Sequence, residues 1–242
     1  MRRIDDPDFV AAEYGDESRL AARRRVWNEF LDGQSADDAT YRAVIEGNPR
    51  SVLEVGAGWG ELAARIANGG VRRVVATDLS PRMASLARGR GLAVVLADVQ
   101  ALPFPGAAFE AVVANAMLYH VPDLDRGLAE IARVLAPDGR LVATTFAHDH
   151  LAEVWELIGG PGVDLSFGAE TGAEVLRRRF RSVEVRPGGG TVTFPNVGEL
   201  RTYVASTITR SDLAERVPHF EGPFVAHSSF VIFIAAEPSR HG

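Results

Sequence analysis

The chain contains no cysteine, which excludes disulfides and thiolate metal sites. No stretch approaches the roughly 18 uninterrupted apolar residues of a membrane-spanning helix. The opening segment, Met1-Arg2-Arg3-Ile4-Asp5-Asp6-Pro7, lacks the apolar run of a signal peptide, so a cytoplasmic protein is expected. Positive charge is not in excess. Against 32 Asp and Glu stand 26 Lys and Arg, a net charge of −6, which disfavours general nucleic-acid binding. Two phosphate-binding signatures are also missing. No Gly-Lys-Ser/Thr follows the glycines at positions 56–60, so there is no P-loop. The third glycine, Gly60, arrives one residue too early for G-x-G-x-x-G, and Glu61 stands in the required place, which argues against a dinucleotide.

What is present fits one α/β domain. The 242 residues are 46% hydrophobic, enough for a full core. Helical patterns over Ser18–Leu31 and Ala36–Glu46 precede an alternation of strands and helices. The expected strands are Ser51–Val55, Arg73–Thr77, Leu92–Ala97, Phe109–Asn115 and Arg140–Phe146. Helices are expected after Gly60, after Ser80-Pro81 and over Leu124–Leu135. Such alternation predicts a parallel sheet covered on both faces. Beyond Ala147 the pattern loosens. Helical signals lie at Leu151–Ile158, Glu170–Phe180, Val197–Ser206 and Ser211–Arg216, and strand-like runs at Ser182–Val185, Thr191–Phe194 and Ser229–Ala236.

Unusual polar residues fall at successive strand ends, where open parallel sheets bind ligands. Glu54 sits in the apolar run Val52-Leu53-Glu54-Val55 and leads into Gly56-Ala57-Gly58. A carboxylate there is costly unless a cation or a hydrogen-bond donor meets it, and glycines let backbone approach a ligand. That pairing points to a positively charged ligand; the alternative is a carboxylate satisfied internally. Asp78 follows the next strand, roughly 20 residues beyond the glycines, where a carboxylate accepts both hydroxyls of a ribose. Asp98 closes the third strand and could accept from an amino group of a base, with the Val99 N–H donating beside it; alternatively it forms a turn. Leu79 and Met83 could sandwich a flat base or simply pack. Asn115 closes the fourth strand, with Tyr119 and His120 just beyond.

In this order, the segments Val52–Gly60, Asp78–Met83, Asp98–Phe104, Phe109–Asp123 and Arg133–Leu141 resemble the motifs of class I S-adenosylmethionine-dependent methyltransferases. The resemblance covers roughly residues 50 to 146 and departs at Asp138, where the family often has glycine. It implies a Rossmann-like, seven-stranded, mostly parallel sheet with helices on both faces and an antiparallel last strand. Residues 1–48 would form an N-terminal helical cap, 49–147 the cofactor-binding core, and 148–242 an acceptor-side tail with a small insertion between the last strands. The implied cofactor is S-adenosyl-L-methionine. Gly56, Ala57 and Gly58 would approach its methionine and ribose, and Glu54 its amino group, directly or through water. Asp78 would hold the ribose, while Leu79, Met83, Asp98 and Val99 surround the adenine. The Asn115 carbonyl would lie near the amino group.

The acceptor side is less defined. His120 is the candidate base, since an imidazole titrates near neutrality; a merely structural loop histidine is the alternative. Tyr119 could orient the acceptor or face the sulfonium. Phe146, His148, Trp155 and Tyr203, together with His227, are candidates for the acceptor pocket. His148 and His150 form His-x-His, but no third ligand is evident and no metal is expected. Tyr14 and Arg19 could close over the cofactor, an arginine suiting its carboxylate. Arg23-Arg24-Arg25 reads as a solvated helix face. A small-molecule methyl acceptor is expected, with transfer to oxygen or nitrogen, no nucleic-acid or membrane partner, and a monomeric or homodimeric state. The alternatives are a macromolecular acceptor (tRNA or protein) and a non-catalytic cofactor-binding regulator.

Overall fold

The computed structural model describes residue 5 and residues 17–160, 165–207 and 210–238. Helix α1 (Glu17–Glu29) leads into a short strand β1 (Leu31–Gly33) and α2 (Ala36–Glu46). The core then alternates: β2 (Ser51–Val55), α3 (Glu61–Asn68), β3 (Arg73–Asp78), α4 (Pro81–Gly89), β4 (Ala93–Leu96), β5 (Phe109–Asn115), α5 (Leu124–Val134) and β6 (Leu135–Phe146). The tail holds α6 (Ala152–Leu157), α7 (Gly172–Arg177), β7 (Phe180–Phe194), α8 (Val197–Ala205) and β8 (Phe224–Pro238). The strands form one sheet in the order β1-β7-β8-β6-β5-β2-β3-β4. Strands β2 to β6 are mutually parallel where they pair, and β8 enters antiparallel between β6 and β7. Among the described residues no helix is long and apolar enough to cross a membrane.

Local signals explain the helix starts. Ser35 accepts from the Asp38 N–H at 3.1 Å, Ser80 from Met83 at 3.3 Å ahead of Pro81, and Asp123 from Arg126 at 3.0 Å. The strands are apolar on both faces, as a doubly covered sheet demands. Leu53, Val112, Leu141 and Ala143 pack with Leu128 and Ile131 of α5 on one side. Val52, Val113 and Val142 pack with Ala43 and Val44 of α2 and Ile66 of α3 on the other. A third cluster joins Val26 of α1 to α6, α8 and the far ends of β7 and β8.

Two expectations need correction. The sheet has eight strands rather than seven, because the helix over 18–31 stops at Glu29 and Leu31–Gly33 pairs antiparallel with β7. And the two runs at 182–185 and 191–194 are one strand, β7, which continues through Arg186-Pro187-Gly188-Gly189-Gly190. In the sheet these glycines make room. A Cβ at Gly188 would lie 2.5 Å from the Phe230 ring, and one at Gly190 would lie 2.4 Å from the Asp32 carbonyl oxygen. Glycine inside a strand here marks close approach rather than a break.

Gly60 has a related purpose. Its φ is +80°, and a Cβ there would fall 2.6 Å from Leu92 Cδ1 and 2.8 Å from Ala87 Cβ. It lets the start of α3 press on the end of α4. Gly60→Ala is expected to destabilise the fold by about 1–3 kcal/mol through overpacking and left-handed strain. A denaturant melt with an unchanged midpoint would remove this role.

Candidate active site

A cavity of about 1830 Å³ opens along the carboxyl ends of β2, β3, β4 and β5, with α1 forming part of its wall. The glycine turn after β2 follows the sequence closely. Gly56 and Gly58 have φ of +62° and +55°. A Cβ on Gly56 would sit 2.9 Å from Met117, whereas one on Gly58 would, among the described residues, meet only Leu20 Cδ2, at an ordinary contact distance of 3.9 Å. This backbone is bare where a ligand would lie against it.

Asp78 ties the turn to the neighbouring strand. Its Oδ2 accepts from the Gly58 N–H and its Oδ1 from the Ser80 N–H, both at 2.8 Å. Burial raises its pKa, and these amides oppose the rise. Each oxygen retains acceptor capacity toward the cavity. Leu79, beside it on the wall, is 54% exposed, which suits a side chain that waits for a flat ligand. Met83 does not share that position. It is fully buried on the inner side of α4 and is absent from the cavity wall. Val99 lines the cavity, as does Asp98, whose carboxylate is engaged by Gln100: the backbone N–H at 2.8 Å and Nε2 at 3.0 and 3.1 Å. Asp98 is therefore a turn former as well as a wall residue.

Glu54 is 2% exposed, and its Oε2 has no hydrogen-bond partner among the described residues. Burial, then the nearby Asp37 carboxylate, pushes its pKa up to about 8, against a smaller opposing effect of the Ala63 N–H. An unsatisfied buried acid on a cavity wall is the mark of a group held ready for a ligand. Asp37 accepts from Asn115 Nδ2 at 2.6 Å and pairs with Arg24 at 2.6 Å. Arg24 also reaches Glu61 Oε2 at 2.7 Å, and Trp59 Nε1 donates to the same oxygen at 3.2 Å. Thus α1, α2, β5 and the glycine turn are locked together around Glu54. The Asn115 side chain is spent on this network, with Thr40 donating to its Oδ1 at 3.1 Å. After Asn115 the chain turns through Ala116 at φ +53°, a strained position on the cavity wall.

Nothing in the sequence marks Asp37 or Arg24. Asp37 reads as an acid complementing the first turn of α2, and Arg24 as part of a solvated run. The helix phase decides otherwise: Arg23 and Arg24 line the cavity, while Arg25 turns outward to Glu29 and Glu199. Arg19 does not line the cavity, although its Nη1 is buried without a partner among the described residues. Tyr14 lies outside the described residues.

On the acceptor side, Tyr119 and His120 both line the cavity, their rings in edge contact with centroids 4.5 Å apart. Phe146, Trp155 and Tyr203 line it too. His148 does not. It is exposed, and its backbone N–H donates to Glu170. His227 is also on the outside, with its Nδ1 2.5 Å from Glu153. The histidine that reaches the cavity is His150, 5% exposed and kept neutral by burial, with a pKa lowered to about 4. The two members of His-x-His thus diverge, and among the described residues no cluster of three or more His, Asp or Glu side chains could hold a metal.

A doubly covered parallel sheet with acidic and glycine-bearing strand ends around one cavity defines a Rossmann-like nucleoside-binding protein. Comparison with known proteins narrows the class. Residues 53–143 match a family model described as a methyltransferase domain. The chain is 31% identical over 182 residues to a demethylmenaquinone methyltransferase of Thermobifida fusca, covering 72% of this chain and 70% of that protein. A demethylmenaquinone methyltransferase of Thermus thermophilus is 38% identical over 139 residues, which is 53% of this chain and 63% of that protein. Among solved structures, the 1,6-didemethyltoxoflavin-N1-methyltransferase of Burkholderia thailandensis, with bound 1,6-didemethyltoxoflavin and S-adenosylhomocysteine, superposes with a TM-score of 0.61 at 21% identity. The match covers 99% of this chain and 92% of that one, and it shows the shared fold. The chain belongs to the class I S-adenosylmethionine-dependent methyltransferases, whose methyl donor is S-adenosylmethionine.

Proposed function

We propose that this chain transfers a methyl group from S-adenosylmethionine to an oxygen or nitrogen of a small molecule. The observation that carries this reading is the continuity of the cavity. Its acidic, glycine-bearing end, with the orphaned Glu54 Oε2 and the Asp78 carboxylate, opens directly into a chamber walled by aromatic side chains and His120. The acidic end fits the cofactor. Glu54 suits an ammonium group, Asp78 suits vicinal ribose hydroxyls, and Leu79, Asp98 and Val99 suit an adenine. When bound, the cofactor supplies an electrophilic methyl group on a sulfonium. The protein then has to hold the acceptor in line and exclude water, which contributes on the order of 7–11 kcal/mol. His120 takes the proton that a hydroxyl or ammonium acceptor must lose. The net charge of −6 weighs against a nucleic-acid acceptor. An open acceptor chamber weighs against a purely regulatory cofactor binder.

The test is production of S-adenosylhomocysteine from S-adenosylmethionine across a panel of phenols and nitrogen heterocycles. His120→Ala is expected to lower turnover by about 10²-fold or more while leaving S-adenosylhomocysteine affinity unchanged in calorimetry. Undiminished turnover of the variant from pH 6 to 9 would end the candidacy of His120 as base. Tight S-adenosylhomocysteine binding with no turnover on any acceptor would favour the regulatory reading.

A further inference from the structure

Gln100 stands beside Asp98 and Val99 on the cavity wall and is bonded at every polar group it carries. Its backbone N–H donates to Asp98 Oδ1 at 2.8 Å, and its Nε2 donates to both Asp98 oxygens, at 3.1 and 3.0 Å. Its Oε1 accepts from the Asp123 N–H at 3.1 Å, and its backbone carbonyl from Arg126 Nε at 2.9 Å. These partners tell the two ends of the amide apart. A carboxylate accepts and a backbone N–H donates, so the NH2 end faces Asp98 and the oxygen faces Asp123. A turn after Asp98 needs only the backbone bond. The side chain adds further donor contacts, and Asp123, which caps α5, holds it in place.

The rest of the loop is fastened to α5 as well. The Leu102 N–H donates to Glu130 Oε2 at 2.8 Å, and Arg133 donates to the carbonyls of Leu102 and Phe104 at 2.9 and 2.7 Å. Gln100 thus ties the Asp98 carboxylate to a braced loop. A carboxylate has about four acceptor positions. Gln100 fills two on Oδ1 and one on Oδ2, so one position remains, on Oδ2. Next in the chain, the Val99 N–H has no partner among the described residues. One acceptor near one donor matches the edge of adenine, where an amino N–H lies next to a ring-nitrogen lone pair. Hypoxanthine reverses both, with a carbonyl oxygen next to a ring N–H. A carboxylate free to rotate, or to recruit water, loses this fixed polarity.

We propose that Gln100 is a specificity-determining positioning residue: by donating to Asp98 it fixes the one open acceptor that makes the site select adenine over hypoxanthine. This rests on the methyltransferase reading above and deepens it at the cofactor end of the cavity. The test is calorimetry of the full chain with S-adenosylhomocysteine and its deaminated analogue, S-inosylhomocysteine. The readout is the ratio of the two dissociation constants, which a general loosening of the site leaves unchanged because it weakens both ligands alike. The parent is expected to favour S-adenosylhomocysteine by about 10²-fold or more, since the analogue meets both groups with the wrong polarity. Gln100→Met, which keeps the length and removes the donor, is expected to cut the ratio below about tenfold. Gln100→Lys, which keeps a donor opposite Asp98, is expected to stay within about threefold of the parent ratio. Gln100→Ala takes the place of Gln100→Met if that chain does not fold. An unchanged ratio in the variant without a donor overturns the proposal. So does a ratio below about tenfold in the parent, or a ratio lost in a folded Gln100→Lys chain. Failure of the methyltransferase reading is seen separately, as failure of S-adenosylhomocysteine to bind the parent at all.

Discussion

Asp78→Ala is expected to weaken S-adenosylmethionine binding by about 10²–10³-fold, measured by calorimetry. Two ribose hydroxyls donating to one carboxylate are charge-assisted bonds, each contributing about 1.5–3 kcal/mol, and water recovers part of that loss. A second contribution comes from the protein itself. Asp78 Oδ2 holds the Gly58 N–H across 20 positions of sequence, so its removal also releases the glycine turn. Asp78→Asn separates the two effects. Its amide oxygen can still accept from one of the two N–H groups but lacks the charge, so an intermediate loss of about tenfold is expected. Wild-type affinity in Asp78→Ala would remove this residue from the ribose site and with it the assignment of the β3 end.

How much of this arrangement is legible beforehand depends on how local its cause is. The parallel core reads well because each strand is a short apolar run and each helix start carries its own cap, as at Ser80-Pro81. The strand-end acids Glu54, Asp78 and Asp98 are legible because a polar residue stands out against an apolar strand. Residues whose roles are fixed by helix phase or by distant neighbours are not. Met83 looks like a base-stacking residue two positions into α4 but rotates into the core. Arg24 looks solvated but meets Asp37 and Glu61 through the docking of α1. His148 and His150 differ by two positions, and the chain turns between them, so one faces solvent and the other the chamber. Strand β1 is illegible for the same reason. Three residues carry no strand pattern, and only the glycines of β7 admit them to the edge.

Cofactor binding is expected to release close to one proton per site near pH 7, and Glu54→Gln to abolish that release. In the ligand-free protein burial and Asp37 hold the Glu54 carboxyl near a pKa of 8, against an ordinary value of 4.5. At pH 7 it is mostly protonated, and an incoming ammonium favours its ionised form. Affinity should then rise with pH, up to about tenfold per unit between pH 6 and 8, and flatten above. The same shift acts on stability with the opposite sign. Between about pH 4.5 and 8 the folded protein binds a proton that the unfolded chain has lost, so Glu54 makes folding less favourable as pH rises through that window. Glu54→Gln removes this slope, and the variant should be more stable than the parent at pH 8 without ligand while binding the cofactor more weakly. Calorimetry in two buffers of different protonation enthalpy reads the released proton, and melts at pH 5 and pH 8 read the stability slope. Equal heats in both buffers, with parallel melts for parent and variant, would show that Glu54 is already ionised and satisfied within the protein. The carboxylate would then have no vacancy for a cationic ligand to fill.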